Sequence, residues 1–111
     1  MKIGIVGSRA LQVDLKKYLP AVAEISEIVS GGAIGIDTNA KNFAIENNIK
    51  LVEFLPDYKQ YGKKAPLERN TKIVQYSDVI YAFWDGRSRG TKDSIDKARI
   101  LGKKVFVYKK K

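Results

Sequence analysis

Apolar positions along this 111-residue chain follow two alternating rhythms, one suited to strands and one to helices. Lys2 to Val6 reads as a first strand. Leu11, Leu15, Tyr18, Leu19 and Val22 then return at helical spacing, with Pro20 set to end or kink that helix. Glu27 to Val29 reads as a short second strand. Ile36, Ala40, Phe43 and Ala44 put one apolar face on a second helix, which Asn47-Asn48 stops before a third strand, Lys50 to Leu55. Pro56 to Ala65 reads as a polar loop. Leu67 to Tyr76 predicts a third helix, with Pro66 suited to its first turn. Asp78 to Trp84 is nearly all apolar, as a strand buried on both faces must be. Thr91 to Leu101 predicts a fourth helix that turns Ile95, Ala98 and Leu101 to the core and stops at Gly102. Val105 to Tyr108 closes the series as a fifth strand.

Strands and helices alternating at this length imply an α/β, Rossmann-like three-layer fold, with a parallel five-stranded sheet in the order 3-2-1-4-5, built as a single domain over residues 1–111. Such sheets bind ligands outside the carboxyl ends of the strands, where the strand order reverses. The unusual residues fall at those ends. The first strand runs into Gly7-Ser8-Arg9, the second into Ser30-Gly31-Gly32-Ala33-Ile34-Gly35-Ile36-Asp37, and the third into Pro56-Asp57-Tyr58. The fourth runs into Trp84-Asp85-Gly86-Arg87-Ser88-Arg89-Gly90-Thr91.

Three glycines in five positions between a strand and a helix allow a sharp turn that aims backbone N–H groups and the positive helix end at an anion, typically a phosphate; a plain tight turn explains them too. Ser88-Arg89-Gly90-Thr91 repeats that logic, with Thr91 suited to cap the fourth helix. Arg9 suits bidentate phosphate or carboxylate contacts, or a solvated surface. Trp84 and Tyr58 can stack on a base, and Trp84 can equally pack in the core. Asp37 either bonds ribose hydroxyls or caps its helix. Glu68-Arg69-Asn70, near the start of the third helix, is either a second set of crevice contacts or a solvated face.

Composition narrows the chemistry. The chain has no cysteine and no histidine, which removes disulfides, thiolate zinc sites and the Ser-His-Asp triad, and its scattered acids offer no metal site; no cofactor is implied. No apolar run is long enough for a signal peptide or a membrane span, so a cytosolic location, away from membranes, is the expectation. The net charge of +9 is lopsided: residues 1–57 carry 6 basic against 7 acidic residues, and residues 58–111 carry 15 against 5. A basic half suits phosphates, in a nucleotide or a nucleic acid. Lysines 103, 104, 109, 110 and 111 read mainly as a solvated surface.

Taken in order, Val6-Gly7-Ser8-Arg9, Ser30 to Asp37, Tyr61-Gly62-Lys63 through Glu68-Arg69-Asn70, Ser77-Asp78, Ala82 to Gly86 and Ser88-Arg89-Gly90-Thr91 resemble the SLOG superfamily. Its Rossmann-like members include the LOG phosphoribohydrolases and the DNA-processing DprA/Smf proteins, and the resemblance is nearest to the YspA/YpsA-related branch. It implies a phosphorylated nucleotide or ADP-ribose-like ligand, bound by a sensor or sequesterer at Gly7, Ser8, Arg9, Ser30, Gly31, Gly32, Ala33, Gly35, Asp37, Arg69, Asn70, Trp84, Asp85, Ser88, Arg89, Gly90 and Thr91. Related proteins pair through helices beside the site, which implies a dimer. The first alternative is a LOG-like hydrolase of nucleoside 5'-monophosphates using Arg69, with Asp93 or Asp37 as carboxylate. Against it, Asn70 stands where LOG has lysine, and Ser94 stands where LOG has its catalytic glutamate, one residue after Asp93. Glycosidic cleavage needs a carboxylate at the oxocarbenium-like centre, and serine supplies none. The second alternative is DprA-like binding of single-stranded DNA by the basic half.

Overall fold

The computed structural model describes residues 1–110; Lys111, one of the lysines assigned to the solvated surface, lies outside them. Five parallel strands, β1 (Lys2–Gly7), β2 (Glu27–Ser30), β3 (Lys50–Glu53), β4 (Val79–Trp84) and β5 (Lys104–Lys109), form one sheet in the order β3-β2-β1-β4-β5. The predicted α/β Rossmann-like fold and strand order are therefore the observed ones. β1 and β4 are neighbours although the chain between them visits the far edge of the sheet, so the order reverses at that pair.

Helix α1 (Ile36–Glu46) packs over β1, β2 and β3 on one face of the sheet. Helices α3 (Ala65–Tyr76) and α4 (Arg89–Ile100) pack against each other on the opposite face. Each face has its own apolar core. Ile3, Ile5 and Phe83 meet Ile36, Ala40 and Phe43 on the α1 side, and Val6, Ile80 and Ala82 meet Ile73, Val74 and Ile95 on the other. Alternate residues of β1 and β4 thus enter opposite cores, which is why both strands read as continuous apolar runs.

Four local expectations need correction. Leu101, predicted to face the core with Ile95 and Ala98, is instead exposed, because α4 ends at Ile100 and Leu101 is only its C-cap. Residues 11–22 form no helix; the connection from β1 to β2 is irregular, with 3-10 turns at Leu15–Lys17 and Val22–Glu24. Leu11, Leu15, Tyr18 and Leu19 still pack on the core, whereas Val22 is exposed. Asp14, in extended conformation, accepts from the Lys16 backbone N–H and starts a turn that Pro20 gives no room to lengthen. The loop before α3 contains a short helix, α2 (Tyr58–Tyr61), capped by the Asp57 carboxylate on the Gln60 N–H, followed by a 3-10 turn at Gly62–Lys64. The cap of α4 is Ser88, whose hydroxyl accepts from the Thr91 N–H; Thr91 lies inside the first turn. Among the described residues no helix is long and apolar enough to cross a membrane.

Candidate nucleotide-binding crevice

The loops after β1, β2 and β4 and the first turns of α3 and α4 enclose a crevice of about 450 Å³ at the β1–β4 switch point. Ser8 joins two of those loops. Its backbone N–H donates to the Phe83 carbonyl at 3.1 Å, and its buried hydroxyl accepts from the Asp85 N–H at 3.2 Å. Asp85 in turn organises the turn ahead of α4. One of its carboxylate oxygens accepts from the backbone N–H groups of Arg87 and Ser88, both at 2.8 Å, and those two bonds hold its pKa below the usual carboxylate value.

The loop between β2 and α1 is held by two side chains of the same protein. The Asp37 carboxylate, only 8% exposed, accepts from the Ala33 N–H at 3.0 Å. Burial pushes its pKa up, against the pull of the Ala33 N–H and the positive charge of Arg69, and the nearby Glu53 carboxylate adds to the rise. Arg69 reaches across from α3 and donates to the Gly31 carbonyl at 2.7 Å. Its Nε donates to the Asn70 side-chain carbonyl at 3.1 Å. Asn70 passes the connection on, donating to the Asp93 carboxylate at 3.2 Å and to the Gly90 carbonyl at 3.3 Å. Lys97 closes the line with an ion pair to Asp93 at 2.9 Å and a bond to the Leu67 carbonyl at 2.7 Å. One hydrogen-bonded chain therefore crosses the crevice from β2 to α4.

Of the residues predicted for the site, Gly7, Ser8, Arg9, Gly31, Ala33, Asp37, Arg69, Asn70, Asp85, Ser88, Gly90 and Thr91 line the crevice. Ser30, Gly32, Gly35, Trp84 and Arg89 do not. Ser30 is fully buried behind the loop; its hydroxyl eases the Asp37 charge yet has no partner in hydrogen-bonding geometry. Gly32 lies under Leu55, and Gly35 lies against the Arg9 carbonyl. Trp84 is structural: its indole N–H donates to the Ser88 carbonyl at 3.0 Å and its ring packs on the α3–α4 core. Arg89 and Arg87 are exposed beside the mouth of the crevice, and so is Tyr58, further along the same edge of the sheet. Val6, Ala10, Pro66, Leu67, Ile73 and Ser94 also line the crevice and were not predicted. Pro66 and Leu67 precede Arg69 on the same helix turn, and that proximity was the available signal.

The family model for DNA recombination-mediator protein A matches residues 1–61, more than half of the chain. The chain belongs to that family. The matched stretch carries two of the crevice loops, Gly7-Ser8-Arg9 and Ser30 to Asp37, while Arg69, Asn70 and the turn into α4 lie beyond it. The chain is also similar to the X-ray structure of DNA processing protein A (DprA) from Streptococcus pneumoniae, at TM-score 0.80 and 23% identity. That likeness covers 96% of this chain and 49% of the other, so the chain spans about half the length of that relative; at this identity it speaks for the fold. No curated protein matches the chain.

The polar groups of the crevice are largely engaged with one another. Arg69 spends two of its N–H groups inside the protein, on the Asn70 side chain and the Gly31 carbonyl, out of the five a guanidinium offers. The Asp93 carboxylate, one of the two considered for glycosidic cleavage, is committed to Lys97 and Asn70 and is poorly placed to act as a base.

Proposed function

We propose that the chain, acting as one domain over residues 1–111, binds single-stranded DNA at the carboxyl ends of its strands. One nucleotide unit enters the crevice, and neighbouring phosphates lie on the arginines at its rim. The observation that carries this reading is the state of that rim. Among the described residues, Arg9, Arg87 and Arg89 make no ion pair with any carboxylate, so their charge is available to a polyanion. The carboxylates of buried Asp37 and half-buried Asp85 already occupy loop N–H groups that a phosphate deep in the crevice would use, which favours phosphates at the rim. Membership of a family named for DNA recombination supports the same partner.

Fluorescence anisotropy with a labelled oligothymidylate, titrated at several salt concentrations, tests it. Affinity should fall with salt, with a logarithmic slope of about −0.7 for each phosphate engaged. Arg9→Ala and Arg89→Ala should each weaken binding and flatten that slope. Binding that ignores salt and both arginines sinks the reading.

A second reading, a free nucleoside monophosphate or ADP-ribose-like ligand held by a sensor or sequesterer, is supported by the crevice itself, whose volume of about 450 Å³ suits a small ligand. A thermal-shift screen separates the two. A nucleotide present at ~100 times its Kd adds ~2.7 kcal/mol of stability, and no shift with any mononucleotide removes this reading. The motifs Gly7-Ser8-Arg9 and Ser30 to Asp37 further support a place in the YspA/YpsA-related branch.

A further inference from the structure

The connection from β1 to β2 forms no helix, and that leaves a second surface. α1 covers β1, β2 and β3 and shares a core with β4, so on that side of the sheet β5 is covered chiefly by Tyr18 of the irregular connection, which packs on Phe83 and Tyr108. The result is an aromatic cluster with one open side. Tyr18 packs edge-on against Tyr108 with ring centres 4.7 Å apart, Tyr108 stacks on Phe83 at 5.4 Å, and Phe106 lies against Tyr81 at 4.9 Å. Tyr18, Phe106 and Tyr108 are only half-buried.

Lysines frame these rings. Lys104 Nζ stands 5.0 Å over the Phe106 ring and Lys110 Nζ 4.9 Å over the Tyr18 ring, and among the described residues neither lysine pairs with a carboxylate. The end of β5 is tied to the turn that leads into α4. The Lys110 N–H donates to the Trp84 carbonyl at 2.7 Å, and the Lys109 side chain lies against Gly86, in the turn that carries Asp85 and Ser88.

We propose that this face of β5 is a second contact for single-stranded nucleic acid, with bases on Phe106 and Tyr108 and phosphates on Lys104 and Lys110. The inference extends the DNA-binding reading and rests on it. Aromatic rings among unpaired basic side chains are what a single strand requires, because every base offers a flat face to stack and every linkage a negative charge. The free edge of β5 is a poor seat for a second copy of the chain. Antiparallel pairing of two such edges about Phe106 and Val107 sets Lys104 of each copy against Lys109 of the other, and like charges directly opposed repel.

Strand length provides the test. An oligothymidylate of about four nucleotides fits the crevice and its rim, and one of about sixteen reaches β5 as well. The full chain should bind the longer strand more tightly. A Lys104→Gln/Lys110→Gln double variant, which leaves the rings packed, should bind the longer strand about tenfold more weakly and the shorter one as the parent does. Tyr108→Leu, which keeps apolar volume, should repeat that selective loss, with circular dichroism checking that the fold persists. Equal affinity of the parent for both lengths, or unchanged binding of the longer strand by the variants, overturns the inference while leaving the crevice reading intact. Failure to bind either strand overturns both. Sedimentation that reveals a dimer dissociated by Tyr108→Leu assigns the surface to a second copy instead.

Discussion

The two loops that bracket the crevice look alike in sequence and differ in what they spend their residues on. Both join a strand to a helix and both mix glycine with hydroxyl side chains. In the loop before α1, the apparent phosphate cradle is consumed by the protein. A Cβ on Gly31 would lie 2.3 Å from the Arg69 guanidinium, a Cβ on Gly35 would lie 2.2 Å from the Arg9 carbonyl oxygen, and the Ala33 N–H serves Asp37. In the loop before α4, Asp85 takes the N–H groups of Arg87 and Ser88, but Gly90 faces the crevice with nothing within 4 Å of where a Cβ would stand. Its φ is not positive, so neither packing nor backbone conformation demands glycine there. The loop richer in glycine is the architectural one, and Gly90 in the other loop is a glycine that neither packing nor backbone conformation explains.

Gly35→Ala should have the largest effect and fall on the fold alone. Gly35 has φ +76° and ψ −123°, a region closed to residues with a side chain, and the new methyl would meet backbone, which cannot step aside. Strain and overpacking together make a loss of about 3 kcal/mol or more, read as the shift in urea midpoint. A variant as stable as the parent would show the loop has slack and would revive it as a ligand cradle.

The contrast between these loops marks where sequence reasoning stops. The sheet order was legible because β1 and β4 repeat apolar residues without interruption and each helix carries a clear apolar stripe. The segment 11–22 misled because Leu11, Leu15, Tyr18 and Leu19 do reach the core, and helical spacing is only one way to bring them there. The short α2 was missed although Asp57 stands three residues before Gln60, the offset of a capping side chain. Most of the crevice was found because the fold rule points to strand ends. The occupancy of its loops was hidden, because Arg69 reaches Gly31 across 38 residues of sequence, and no local pattern states that a distant guanidinium will take the space a ligand seemed to need.

Asp37→Asn probes the same loop with a smaller effect of opposite sign. The asparagine oxygen can still accept from the Ala33 N–H, but no carboxylate charge is buried. Because burial raises the pKa of Asp37 in the folded protein above its ordinary value of 3.8, its favourable contribution is complete only below that value and is lost as pH rises through the folded pKa. The variant should therefore melt above the parent at pH 7, with the gap closing as pH falls below about 4. It should also hold single-stranded DNA more tightly, since one negative charge leaves the crevice. A gap independent of pH would mean that Asp37 is not strained by burial, and that its carboxylate is a settled part of the loop.

Gly90→Ala is the smallest change and the one that separates the loops most cleanly. Within the first turn of α4, alanine should gain about 0.5–1 kcal/mol from helix propensity, a rise of a few degrees in Tm. The Gly90 carbonyl keeps its bonds from Asn70 and Ser94, because neither uses the Cα substituent. The added methyl projects into space that the protein leaves empty, so only a ligand can object to it. A variant that is more stable and binds single-stranded DNA less well would assign that space to the nucleotide. A gain in stability with binding untouched would leave Gly90 without a role in recognition, and the seat of the ligand would have to be sought among the rim arginines alone.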